Sequence, residues 1–167
     1  MRRRTGVLLL MVVLLSGCGA LDPRYHNYRM PSEAMQPAVK AGQTVRARVV
    51  EHGRYRPHRG DIVVFDAPPS WGTGVFLKRV IGLPGEHVAC CDPGGHVLVD
   101  GAPLAEPYVA EDAPLDGPPG NCVGRRFGPV EVPPAAIFVA GDRRGMSGDS
   151  RCSGPVPADR VIGVVVG

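Results

Sequence analysis

The sequence predicts a mainly β protein, with short antiparallel strands joined by tight turns and few or no long helices. Three observations point there. The 167 residues include 23 Gly and 18 Pro, often clustered as in Pro68-Pro69, Pro93-Gly94-Gly95 and Gly117-Pro118-Pro119-Gly120. Such clusters interrupt helices, because proline removes a backbone donor and glycine adds backbone freedom. No segment keeps an apolar period of 3.6 over three turns, and apolar runs of strand length are instead bounded by turn residues. With 44% hydrophobic residues, the chain can bury one modest core.

In chain order, Arg2, Arg3 and Arg4 precede the apolar run at residues 6–15 (GVLLLMVVLL). The run is too short to span a bilayer, which takes about 20 residues, but suits the core of an export signal. It ends in residues 15–18 (LSGC), which resemble a lipobox. This predicts a lipoprotein-type signal over 1–17, a diacylated Cys18 and a lipidated tether over 18–30, anchoring the protein to the extracytoplasmic face of the cell membrane. Residues 43–50 (QTVRARVV) alternate as a half-buried strand does, and residues 61–65 (DIVVF) read as a short buried strand after Gly60. Residues 75–81 (VFLKRVI) form another, closed by a turn at 82–85. Residues 96–99 (HVLV), the Asp100-Gly101 turn and residues 102–104 read as a hairpin, and strands at 137–140 and 161–166 complete the set. Between Cys91 and Pro133 the chain is rich in Pro, Gly and acidic residues, including Glu106, Glu111, Asp112 and Asp116. It reads as an inserted flap, so the β core is placed at 31–88 and 132–167 and the flap at 89–131.

The formal charge of +3 equals what Arg2, Arg3 and Arg4 supply, so the mature chain is close to neutral and nothing in its composition argues for nucleic acid. No cofactor motif is present. Besides Cys18 the chain has Cys90, Cys91, Cys122 and Cys152. In an exported protein an even set suggests two disulfides. A bridge between neighbours is disfavoured by backbone geometry, so Cys90 and Cys91 are expected to pair with Cys122 and Cys152, in either order. Zinc is the weaker alternative, since the spacing of structural zinc sites is missing.

Three blocks carry chemistry. Residues 31–37 (PSEAMQP) are followed by 41–43 (AGQ); residues 60–65 (GDIVVF) by 76–86 (FLKRVIGLPGE); and the last block is 138–151 (FVAGDRRGMSGDSR). Their order and spacing resemble the type I signal peptidases, membrane-bound serine endopeptidases with a Ser/Lys dyad. The resemblance implies that family's β catalytic domain, a partly open barrel, and signal peptides of exported preproteins as partners. It also implies Lys78 as general base, a role a lysine fills near neutral pH only when desolvation lowers its pKa. Only Lys40 and Lys78 are lysines among 19 basic residues, so a lysine inside an apolar strand asks for a reason. The nucleophile position, before Met35, is Ala34. An alanine methyl cannot attack a carbonyl, and losing such a hydroxyl removes orders of magnitude of rate.

Ser32 matches the position that supports the oxyanion. If residues 32–35 are extended, it points to the same side as residue 34, roughly 6.5 to 7 Å away, and could act as a surrogate nucleophile. Ser147, Asp149 and Arg151 match residues that orient the lysine, whereas Asp142, Arg143 and Arg144 read as a polar surface loop. Arg143 departs from the family's usual Asn there. A substrate strand is expected between residues 31–35 and 75–78, touching Pro31, Val75, Phe76 and Leu77. The readings that follow are a peptide-binding protein without cleavage, a residually active peptidase using Ser32 or a Lys78-activated water, and a lipoprotein scaffold.

Overall fold

The computed structural model describes residues 22–109, 113–117, 122 and 124–167. The signal segment, Cys18, Glu111 and Asp112 lie outside the described residues.

Two antiparallel sheets make up the described structure. The larger contains β1 (Tyr25–Arg29), β2 (Thr44–Val49), β3 (Ile62–Asp66), β4 (Val75–Gly82), β9 (Ala136–Ala140), β10 (Val156–Pro157) and β11 (Val161–Val165). Their order across the sheet is β1-β2-β11-β3-β4-β9-β10. The smaller contains β5 (His87–Cys90), β6 (Val97–Val99), β7 (Ala102–Pro103) and β8 (Phe127–Glu131), in the order β7-β6-β5-β8. One four-residue α-helix, α1 (Ser150–Ser153), and three 3-10 turns complete the regular structure of the described residues. No helix among the described residues is long and apolar enough to cross a membrane.

The sequence patterns explain the strands. Val45 and Ala47 of β2 face the core while Thr44, Arg46 and Arg48 face outward, the period of two that the sequence shows. Every residue of β9 is buried, consistent with its unbroken apolar run. Asp100 and Gly101 both have positive φ (49° and 80°), the backbone that a two-residue hairpin turn requires. Val63, Phe65, Val80, Ile137, Val139 and Val161 form the central core cluster. A second cluster of Ile81, Val88, Val97, Val132 and Phe138 joins the two sheets, with the Phe127 and Phe138 rings stacked at 5.3 Å.

Three expectations are corrected. Part of the segment read as a tether, Tyr25–Arg29, is the first strand of the large sheet, paired along β2; its mixture of aromatic and charged residues hides a period of two that only one face uses. The segment read as a flap carries a sheet of its own, from β5 to β8, whose short strands are broken by the same Pro and Gly residues that suggested a loop. The cysteine pairing also differs. Cys90 is bonded to Cys91 across a cis peptide, and Cys122 to Cys152, Cα atoms 5.6 Å apart. Tertiary placement separates the two sets: Cys90 ends β5 inside the cluster between the sheets, whereas Cys152 sits on α1.

Candidate active site

Residues 30–39 leave β1 and cross the large sheet as a series of turns, with Met30, Ala34, Met35 and Val39 buried against Val45, Ala47, Val64 and Leu77. Met35 is fully buried and anchors the segment. Residues 32–35 are therefore not extended: Gln36 N–H donates to the Glu33 carbonyl and Val39 N–H to that of Met35. Ser32 is exposed while Ala34 is buried, so the two do not share a side as an extended segment would require. The anchoring of Met35 and the turns decide this, and neither is visible as periodicity.

A groove of about 500 Å³ runs between this segment and β4, lined among others by Pro31, Ser32, Ala34, Val75, Phe76, Leu77 and Lys78. Gly148 and the exposed Met146 close it from the third sequence block. On one side β4 is paired with β3 from Val75 to Arg79. On the other, β9 pairs only from Arg79 onward, so residues 75–78 keep an unpaired edge among the described residues.

Lys78 is 4% exposed. It forms no ion pair among the described residues, and its nitrogen lies 6.0 Å from the centre of the Phe76 ring. Burial pushes its pKa below the usual lysine range; the charges of Asp149 and Asp142 pull it back up, and Arg151 pushes it down. The result is a desolvated amine, held below the usual lysine range, in the groove that Ala34 also lines.

Behind this groove is a layer of buried charge. Asp149 is wholly buried and capped by Arg151, whose Nε donates to Oδ1 at 2.8 Å and whose Nη2 donates to Oδ2 at 2.9 Å. Burial by itself would raise the Asp149 pKa. The bonds and charge of Arg151, with the Gly141 N–H at 3.0 Å, outweigh it and hold the carboxyl below its ordinary range. Asp149 also caps α1, accepting from Arg151 N–H. The Ser147 hydroxyl is buried without a well-formed hydrogen bond, yet near enough to Asp149 to favour its ionised form. The structure thus brings Lys78, Ala34 and Ser32 to one groove, and Ser147, Asp149 and Arg151 to the layer supporting it.

The residues read as a polar surface loop are not one. Asp142 and Arg144 are 1% and 3% exposed. Asp142 takes a two-pronged bond from Arg79, at 2.8 and 2.6 Å. Arg144 donates to the Gly141 carbonyl at 2.9 Å and pairs with Glu106 of the inserted segment. Each carboxylate that buries these guanidinium groups is distant in sequence, so charge alone could not reveal them. Adjacency to Lys78 was the one available hint for Arg79. Arg143 donates its N–H to the Ala34 carbonyl at 3.0 Å and its guanidinium pairs with Glu33, fastening the loop to the segment at 30–39. The loop approaches closely at Gly141, where a Cβ would come within 2.5 Å of the Ala34 carbonyl oxygen. Ser150 was missed as well: its hydroxyl accepts from Val139 N–H at 2.9 Å and ties α1 to β9.

A family model for signal peptidase, peptidase S26, matches residues 2–167. Signal peptidase I of Mycobacterium tuberculosis strain H37Rv is 34% identical over 183 residues, which cover 81% of this chain and 62% of that protein. The chain thus spans less than two thirds of that relative's length. Signal peptidase I V of Bacillus subtilis strain 168 is 30% identical over 171 residues, covering 99% of this chain and 98% of that protein. Among solved structures, a crystal structure of a signal peptidase I from Enterococcus faecalis V583 is similar, with a TM-score of 0.51 and 31% identity. It covers 67% of this chain and 98% of the other.

Proposed function

The chain belongs to the peptidase S26 signal peptidase family, and from that premise we propose that it is an extracytoplasmic, membrane-anchored protein that binds signal peptides of exported preproteins and is impaired in cleaving them. The supporting observation is one groove lined by the unpaired edge of residues 75–78, a desolvated Lys78 and Ala34.

An extended peptide can add to that edge as a strand, its backbone bonded to β4 and its side chains received by the shallow apolar surface of Met30, Val75 and Leu77. In the family's reaction the lysine takes the proton of a serine hydroxyl as that oxygen attacks the scissile carbonyl. Here Lys78 is the base, Ser147, Asp149 and Arg151 form the buried layer behind it, and Ala34 offers no oxygen to activate. Ser32 keeps a supporting role at the groove. Its exposure and lack of a hydrogen bond to Lys78 leave it solvated, which argues against its acting as the surrogate nucleophile. Anchoring through a lipidated Cys18 is part of this proposal and rests on residues 6–18 of the sequence.

The test is Ala34→Ser. The unmodified chain is expected to bind a peptide carrying an Ala-x-Ala site without hydrolysing it. Ala34→Ser is expected to cleave that peptide, at least about a thousandfold faster, and Lys78→Met in the same background to abolish the gain. An Ala34→Ser protein that neither binds nor cleaves would overturn the reading in favour of a scaffold, and cleavage by the unmodified chain would overturn the impairment.

A further inference from the structure

The amine of Lys78 has nothing to hold it. Among the described residues it makes no hydrogen bond and no ion pair, although the residue is 4% exposed and lines the groove. The two acids whose charge reaches it are already engaged, Asp149 by Arg151 and Asp142 by Arg79. Each of these pairs is close to neutral as a unit, so neither carboxylate is left over to fix an ammonium beside it. Ala34, which also lines the groove, supplies only a methyl.

A buried lysine without a partner is a nucleophile as well as a base, because its neutral form carries a free lone pair. Three features of the site select the electrophile. The approach is apolar, past Met30, Val64, Val75 and Leu77, which suits a small uncharged molecule. No acidic side chain lines the groove, so a new negative charge there meets no unpaired carboxylate. A donor for that charge is at hand: Ser147 is 4% exposed, and its hydroxyl is the one buried hydroxyl among the described residues without a well-formed hydrogen bond. It stands between Met146 and Gly148, both of which line the groove.

We infer that Lys78 is a site of reversible carboxylation, its amine taking carbon dioxide in the groove to form a carbamate that the Ser147 hydroxyl helps to hold. The nitrogen lone pair attacks the carbon, a C–N bond forms, one C–O π pair moves onto oxygen, and one N–H proton is released to water; the reverse step expels carbon dioxide. A carboxylate then stands where an amine was. The inference rests on the geometry around Lys78 and not on the binding of signal peptides, so the two stand or fall separately.

The chain contains its own comparison, since Lys40 and Lys78 are its two lysines and Lys40 is exposed. The full chain is equilibrated with bicarbonate and carbon dioxide near neutral pH, treated with triethyloxonium tetrafluoroborate, which converts carbamates to stable ethyl carbamates, and mapped by mass spectrometry. The adduct on Lys78 is expected to exceed that on Lys40 at least about tenfold in the folded chain, and the preference should vanish in guanidinium chloride. With carbon-13 bicarbonate, a carbamate resonance beyond that of the terminal amine should appear, persist in Lys40→Arg and be absent from Lys78→Met. Ser147→Ala, with its cooperative melt retained, should lower the Lys78 adduct several-fold. No adduct on Lys78, or equal adducts on both lysines, in the folded chain overturns the site, and an undiminished adduct in Ser147→Ala overturns the part given to that hydroxyl. Binding of an Ala-x-Ala peptide, measured on the same sample, reports on the peptide groove independently.

Discussion

At the scale of single residues, the proposed chemistry rests on Lys78 and Ala34. Burial depresses the Lys78 pKa, and no carboxylate among the described residues forms a direct ion pair to compensate. The folded chain therefore releases this proton at a lower pH than the unfolded chain does. Between those two values the unfolded chain binds more protons, so Lys78 makes stability rise with pH; below both, the full cost of a buried charge is felt. Lys78→Met should stabilise the protein by about 1 to 2 kcal/mol near neutral pH, and the advantage should shrink as pH passes the ordinary lysine value of about 10.4. Paired thermal melts at pH 7 and above pH 10 measure it, and an unchanged difference would refute a desolvated amine. Stability and chemistry thus pull apart at this position, as expected where a fold keeps a charge for a site.

At the scale of elements, β4 has two roles along its length. Its second half is paired on both sides, and its first half offers an edge to the groove. The opposite wall is irregular: a turn-rich segment at 30–39 and the loop from Gly141 to α1. A four-residue helix has no stability of its own. Here α1 is held by the Asp149 cap, the Ser150 bond to β9 and the Cys122–Cys152 bridge, whose Cys122 sulfur accepts from Asp149 N–H at 3.5 Å. Replacing Cys122 and Cys152 together with Ala removes a cross-link of 30 residues' separation, which should cost about 2 to 4 kcal/mol in denaturant melts. Hydrogen exchange should accelerate first at residues 149–153. Exchange unchanged there would mean that the bridge braces only the inserted segment.

At the scale of the whole molecule, the inserted sheet is built into the site's foundations. Glu106 receives Arg144, Tyr108 donates its hydroxyl to Glu106 at 3.0 Å, and the Arg79 guanidinium lies 4.2 Å from the centre of the Tyr108 ring. Arg79 and Arg144 in turn hold Asp142 and Gly141, so the insert reaches the loop that meets Ala34. Glu106→Ala leaves Arg144 buried and unpaired and should cost about 3 to 5 kcal/mol. Both sheets should still melt in one transition, followed by fluorescence of Trp71, which packs on the core of the large sheet, and near-ultraviolet dichroism from the smaller. A core melt unaffected by Glu106→Ala would mean that the insert is an independent flap.

The strands at 44–49, 62–66, 75–82, 136–140 and 161–165 were legible from alternation and apolar runs because those signals are local. So was the Asp100-Gly101 hairpin, and the three blocks whose residues Ala34, Lys78 and Gly148 line one groove. Order along the chain was enough for these. What only the tertiary structure decided depends on residues far apart in sequence: the strand status of Tyr25–Arg29, the burial of Asp142 and Arg144, the packing of Met35 against β2, β3 and β4, and the Cys122–Cys152 bridge. A strand at a sheet's edge, a buried arginine and the Cys122–Cys152 bridge each become favourable only once a distant partner arrives. Local pattern sets the preference of a segment, and the neighbours that folding supplies determine which of its charges and sulfurs are buried and paired.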